Sequence, residues 1–206
     1  MSSRYFWVLV GLVCLGASFA GYRLAAVRYS RPSVPDYGTW LPQPRPLGRF
    51  ALTDSRGRSF NQNDLAGHLT LMYFGYTRCA DECPDTLALL ARVAHRVARV
   101  PLQVLFVSVD PRHDSPAVLA AYLDRFNRSF IGLTGAPRQV RRLSARLGVA
   151  RGKLALPGGG TTFAHTVALF LLDGRGREVA VFTAPFSARR LAAVLRSGAE
   201  RLLVLG

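Results

Sequence analysis

Tyr73-Phe74-Gly75-Tyr76-Thr77-Arg78-Cys79-Ala80-Asp81-Glu82-Cys83-Pro84 holds both cysteines that lie outside the N-terminal apolar segment. The apolar run from Leu69 to Phe74 reads as a buried strand that stops at Gly75. From Pro84 onward apolar residues recur at helical spacing, so a strand-to-helix turn carries the thiols. Spaced i and i+4, with the second beside the first helical turn, both sulfurs can face one point, and the positive end of the helix favours their thiolates. A soft metal ion or a disulfide is the natural occupant. Two small core residues would be the bland alternative, but core cysteines rarely flank a Gly-terminated strand and a Pro-initiated helix.

Working outward, the helical repeat continues through Leu87, Leu90, Ala91, Ala94, Val97 and Ala98, with Arg92, His95, Arg96 and Arg99 on the other face. His95 is therefore a solvated side chain. A second apolar run, Leu102 to Val109, reads as a strand covered on both sides and ends in Asp110-Pro111-Arg112-His113-Asp114-Ser115-Pro116. Asp114 or Ser115 can cap a helix that has Pro116 at its first position. Loops after central strands are also where α/β folds build sites, so Asp110 and His113 are candidates to approach the thiols. A helix to about Asn127, a strand at Phe130 to Leu133 and a helix from Pro137 to Leu147 follow. The last turns Val140, Leu143 and Leu147 inward, and Arg138, Arg141, Arg142 and Arg146 make its outer side the face most suited to an acidic partner. After a Gly-rich loop from Leu154 to Thr162, centred on Pro157-Gly158-Gly159-Gly160, come His165, a strand over Val167 to Leu172, a turn at Asp173-Gly174, a hairpin partner at Glu178 to Phe182, and a helix capped by Ser187. Upstream, Phe50 to Thr53 is a strand entering a turn, and His68 is a structural residue at the start of the Leu69 strand.

The chain has 206 residues, room for a membrane-proximal segment and one domain. Its 27 basic residues, all Arg except Lys153, face 12 acidic ones. No aromatic-interleaved basic patch, zinc finger or helix-turn-helix spacing accompanies them, so nucleic acid is not expected as a partner. Tyr5 to Tyr22 contains no charge over 18 positions, enough for a single membrane anchor or a signal peptide with Ser18-Phe19-Ala20 at its cleavage point. Cys14 within it reads as a bystander. Five prolines between Ser30 and Pro46 suggest a stiff spacer. The expected organisation is an anchor or signal peptide at 1–24, a Pro-rich linker at 25–47 and the domain at 48–206. An exported domain tolerates disulfides, and two thiols fit one reversible bridge.

His165 stands at a strand entrance behind a flexible loop. Two thiolates and one imidazole make a compact three-ligand site whose donor set suits copper, whereas zinc would prefer a fourth ligand. Spacing alone does not bring His165 to Cys79, and a histidine satisfied by backbone at a sheet edge is the commoner case.

Phe74-Gly75-Tyr76-Thr77-x-Cys79-x-Asp81-x-Cys83-Pro84, then Ser108-Val109-Asp110-Pro111, then Phe130-Ile131-Gly132-Leu133-Thr134-Gly135, then His165, resembles the Sco/SenC family of copper-binding assembly factors for cytochrome c oxidase. The resemblance implies an α/β, thioredoxin-like fold: a central mixed sheet flanked by helices, behind an N-terminal anchor or signal segment. It implies a copper ion held by Cys79, Cys83 and His165, the two cysteines forming a disulfide when oxidised, and Asp81, Asp110 and His113 as further polar groups near the ligands. It implies delivery of copper to the oxidase's copper-bearing subunit, exchange with other copper carriers, and residence as a single-pass protein of the bacterial inner membrane with the domain on the periplasmic or extracytoplasmic side. Three positions depart from the family pattern: Ala80 replaces a proline between the thiols, His113 an arginine, and Ala164 the acid that commonly precedes the ligand histidine. Such neighbours change metal affinity by about 10–100-fold, so binding is expected to persist with altered strength. A metallochaperone is thus expected rather than an enzyme. The alternative is a thiol–disulfide oxidoreductase, for which the gap between the thiols is one residue longer than the usual Cys-x-x-Cys.

Overall fold

The computed structural model describes residues 6, 7, 10, 13–19, 21, 22, 37–149, 151–155, 161–165 and 167–204, with 151–155 and 161–165 described through their backbone. The chain divides into two units, Met1–Val34 and Pro35–Gly206. In the first, the described residues are helical. No helix formed by described residues is long and apolar enough to cross a membrane, so the anchor expected at 1–24 is not borne out by them.

The second unit is the expected mixed α/β domain. Its strands are β1 (Thr39–Pro46), β2 (Ala51–Asp54), β3 (Ser59–Asn61), β4 (Leu69–Gly75), β5 (Leu102–Ser108), β6 (Ile131–Thr134), β7 (Arg151–Ala155), β8 (Thr161–His165), β9 (Ala168–Leu172) and β10 (Arg177–Thr183). Its helices are α1 (Glu82–Arg96), α2 (Pro116–Asp124), α3 (Pro137–Arg146) and α4 (Ala188–Val204). Eight strands form one sheet in the order β1-β10-β9-β4-β5-β6-β2-β3, while β7 and β8 pair separately. β4 runs parallel to β5, and β5 to β6, whereas β9 is antiparallel to β4.

β4 is the central strand because every one of its residues is apolar or small enough to be covered on both faces, and all seven are buried. Met72 and Phe74 point into one core with Leu105, Val107 and Phe170, closed by Val140 and Leu143 of α3 and by Leu147 at its C-cap. Tyr73 points to the opposite face, where its ring meets Phe106 and Phe106 meets the α2 residue Tyr122 in tilted contacts, and its hydroxyl reaches Cys83 in α1. Each such side chain removed from water contributes about 1.5–3 kcal/mol, so β4, buried along its whole length, is firmly held.

Helix starts follow the sequence signals. Ser115, not Asp114, caps α2 by accepting from the Val118 N–H, with Pro116 at the first position. α1 begins at Glu82, two residues before the expected Pro84, so Cys83 already lies in its first turn; proline is tolerated there because its missing N–H would be unpaired anyway. On α3, Arg138, Arg141 and Arg142 are exposed, whereas Arg146 donates to the carbonyls of Leu47 and Arg49 and serves the fold.

The linker expected over 25–47 is corrected in its second half. Residues 39–46 form β1, the sheet's edge strand, antiparallel to β10, with a break in register between Trp40 and Arg45. Proline cannot donate to a ladder, and an edge strand across a register break is where a sheet accepts Pro42 and Pro44. Arg45 fastens the strand through Glu178, whose carboxylate is fully buried, at 2.6 Å. Tyr37 stacks on Phe182 with centroids 5.4 Å apart and its hydroxyl accepts from the Ser187 N–H. Between them Gly38 has φ 87°, and a Cβ there would lie 2.4 Å from the Phe182 ring, so glycine is required. The part of the expected linker at 25–36 lies outside the described residues.

Arg45→Met keeps the aliphatic stem but strands a buried carboxylate. It is expected to lower unfolding free energy by about 3 kcal/mol in denaturant titration, with partial recovery when Glu178→Gln is added.

Candidate metal centre

The site begins where β4 ends. A Cβ on Gly75 would lie 2.7 Å from the Cys83 sulfur and 2.7 Å from the Phe106 ring, so only glycine lets the first turn of α1 close onto the end of the strand. The next turn is short, with the Cys79 N–H donating to the Tyr76 carbonyl. Asp114 anchors it from across the sheet end. Its fully buried carboxylate accepts from the Thr77 N–H at 3.1 Å, from the Thr77 hydroxyl at 2.6 Å and from the Ser108 hydroxyl at 2.6 Å. Asp114 entered the sequence reading only as a helix cap. Nothing in its spacing points to Thr77, which is 37 residues away.

Two thiols stand on this frame, and they are unequal. Cys79 is half-buried against the α3-side core, while Cys83 is fully buried on the opposite face of β4. The two sulfurs share a hydrogen bond, and this bond and then burial push the Cys83 thiol well above its ordinary range. The Tyr73 hydroxyl donates to the Cys83 sulfur at 3.5 Å, which works in the other direction.

Beside the turn, Arg78 donates to Asp110 at 2.5 Å, and His113 Nδ1 lies 2.8 Å from the same carboxylate and 3.0 Å from the Arg78 guanidinium. Arginine can only donate, so Nδ1 serves Asp110 when protonated and Arg78 when not. Burial of Asp110 opposes its charge, but its contacts with His113 and Arg78 outweigh that and hold the carboxyl below the ordinary 3.8. Asp110 and His113 thus reach the residue next to Cys79. Asp81 is exposed at the N-cap of α1 and makes no capping hydrogen bond with its side chain.

For His165 the structure describes the backbone, paired with Arg151 across β7 and β8. β9 is antiparallel to β4, and Leu169, four residues beyond His165, pairs with Tyr73. The chain therefore enters β9 at the end of the sheet where β4 leaves for the thiol turn. The ends of the loop expected over 154–162 are corrected: Leu154 and Ala155 belong to β7 and pair with Thr162 and Thr161 of β8, while 156–160 lies outside the described residues. Among the described residues no three His, Cys, Asp or Glu side chains gather in a way that could hold a metal ion; they assemble the two-sulfur part of such a set. Two polarisable sulfurs at one point, one of them shielded from water, suit a soft, thiophilic cation better than Ca²⁺ or Mg²⁺.

Two predictions test this frame. Asp114→Ala leaves three donors without their acceptor, and is expected to cost about 3 kcal/mol and to speed alkylation of Cys83 in native buffer. Because the Asp110 pKa is depressed on folding, its contribution is present above the ordinary value of 3.8 and lost as pH falls through the lower folded value. Asp110→Asn should therefore flatten the stability profile below about pH 4 and leave its slope above pH 5 unchanged, as read by denaturant unfolding at each pH.

The SCO1/SenC family model matches residues 41–200. An SCO2-like protein of Rickettsia prowazekii (strain Madrid E) is 31% identical over 148 residues, which covers 70% of this chain and 72% of the relative. Among solved structures, Bradyrhizobium japonicum ScoI with copper bound is similar at 33% identity and a TM-score of 0.67, covering 72% of this chain and 96% of that one. Yeast Sco1 with copper bound is similar at 29% identity and a TM-score of 0.68, covering 76% and 90%.

Proposed function

The chain belongs to the SCO1/SenC family, and from that premise we propose that it is a copper-binding metallochaperone that assists assembly of the binuclear copper centre of cytochrome c oxidase. The observation that carries the reading is the pair of sulfurs joined by a hydrogen bond at the end of β4, half-open on one side and shielded on the other. Cys79 and Cys83 supply thiolate donors, and His165 the third. The third assignment draws support from topology, since β9 begins at the sheet end where β4 stops. Thiolate and imidazole donors together suit copper and leave room for a partner's ligand to enter during transfer. Half-exposed Cys79 is the sulfur such a partner meets first.

Release requires weakening the thiolates, and oxidation to a Cys79–Cys83 disulfide removes both at once. The oxidase's copper-bearing subunit is the proposed recipient, and other copper carriers are the proposed donors. The proposed location is the outer side of the bacterial inner membrane, supported by the uncharged run from Tyr5 to Tyr22 as anchor or export signal. An oxidoreductase function has less behind it, because the gap between the thiols is one residue longer than the Cys-x-x-Cys of thioredoxin-like redox enzymes.

The test is copper loading of the purified, reduced full-length chain. About one copper per chain is expected from a single donor set. Cys79→Ser and Cys83→Ser should abolish tight binding, and His165→Ala should weaken it by about tenfold or more and alter the metal's spectrum. Unchanged affinity and spectrum in His165→Ala would remove that ligand, and failure of the parent chain to take up copper would remove the reading.

A further inference from the structure

The Tyr73 hydroxyl links the body of α1 to the thiols. It donates to the Cys83 sulfur at 3.5 Å, and Thr86, one turn beyond Cys83 on the same helix face, is the polar neighbour able to donate to its oxygen. The Cys83 sulfur bonds Cys79 in turn. Tyr73 and Cys83 are fully buried and Thr86 is 5% exposed, so water does not compete at the Tyr73–Cys83 bond. Neither Tyr73 nor Thr86 is a donor atom of the proposed metal site. Their placement is also costly to move: the Tyr73 ring is packed against Phe106 with centroids 6.0 Å apart, and Gly75 leaves the Cys83 sulfur pressed against the strand itself.

We infer that Tyr73, oriented by Thr86, is a positioning residue that tunes the Cys83 sulfur and so sets how readily it is oxidised and how strongly it donates to a metal. A hydrogen bond to sulfur draws electron density from it. In the reduced protein this stabilises the thiol or thiolate of Cys83, whereas a disulfide sulfur is a poorer acceptor, so the bond favours the dithiol. With a metal bound, the same hydrogen bond weakens sulfur-to-metal donation, as hydrogen bonding around a ligand cysteine does at copper–thiolate sites. The metal-bound half rests on the copper reading above; the dithiol half does not.

The experiment uses the full-length chain, with Tyr73→Phe as the first variant and Thr86→Val, with Thr86→Ser as its rescue, as the second. In the copper-free arm each protein is equilibrated with glutathione. One oxidised glutathione takes two electrons and two protons from Cys79 and Cys83 and becomes two reduced glutathiones as the Cys79–Cys83 bond forms. Tyr73→Phe is expected to shift this equilibrium toward the disulfide by about tenfold, equivalent to ~30 mV for a two-electron couple. Thr86→Val should shift it the same way by less, and Thr86→Ser should return it to the parent value. In the copper(II)-loaded arm, Tyr73→Phe should move the sulfur-to-copper charge-transfer absorption to longer wavelength. A folded Tyr73→Phe whose glutathione equilibrium stays within twofold of the parent overturns the inference and leaves Tyr73 a core aromatic. If that variant does not fold, an unchanged equilibrium in Thr86→Val overturns it. A parent chain that binds no copper overturns the copper reading while the glutathione arm still decides the role of Tyr73.

Discussion

At Gly75 the strand, the helix and an aromatic ring converge within one atom's width, since a Cβ there would meet the Cys83 sulfur and the Phe106 ring at 2.7 Å. That absence of a side chain is what brings the first turn of α1 against the end of β4. Were the helix held off by even one methyl group, Tyr73 could not reach the Cys83 sulfur and the two sulfurs would separate. The site is therefore a packing consequence of the central strand, built at the end of a strand buried along its whole length.

Around this contact the protein uses its few acids sparingly. Of 12 carboxylates in a chain with 27 basic residues, Asp114, Asp110 and Glu178 are buried and committed. Asp114 clamps the thiol turn, Asp110 holds Arg78 beside Cys79, and Glu178 fastens the edge strand through Arg45. Asp54 and Asp173 are likewise buried and accept from the backbone of the turns that follow them. A buried carboxylate with several donors is costly to leave without them, so each fixes one local geometry. Surface arginines such as Arg138, Arg141 and Arg142 are under no such constraint.

The two sulfurs divide between the two faces of the sheet. Cys79 leans on the α3-side core and remains half-exposed; Cys83, in the first turn of α1, is fully buried. A pair built this way is chemically asymmetric before any metal or partner arrives. Access is governed at Cys79, and the electronic character of the site is governed at Cys83.

Sequence by itself determined much of this protein: the buried β4, the thiols on a strand-to-helix turn, the Ser115-Pro116 helix start, the β9–β10 hairpin, and a mixed sheet with helices. These are local signals, written in periodicity and in the conformational limits of Gly, Pro and capping side chains. The beginning of α1 shifted by two residues because proline marks a first turn without saying which of its positions it takes. Only the tertiary structure decided that Asp114 clamps Thr77 rather than capping a helix, that Tyr73 bonds Cys83, and that 39–46 is an edge strand instead of a spacer. Each depends on a partner brought near by the fold, over 37 residues for Asp114 and 133 for Arg45. Periodicity reports which face a side chain takes. Which distant group waits on that face is set by how the sheet is ordered.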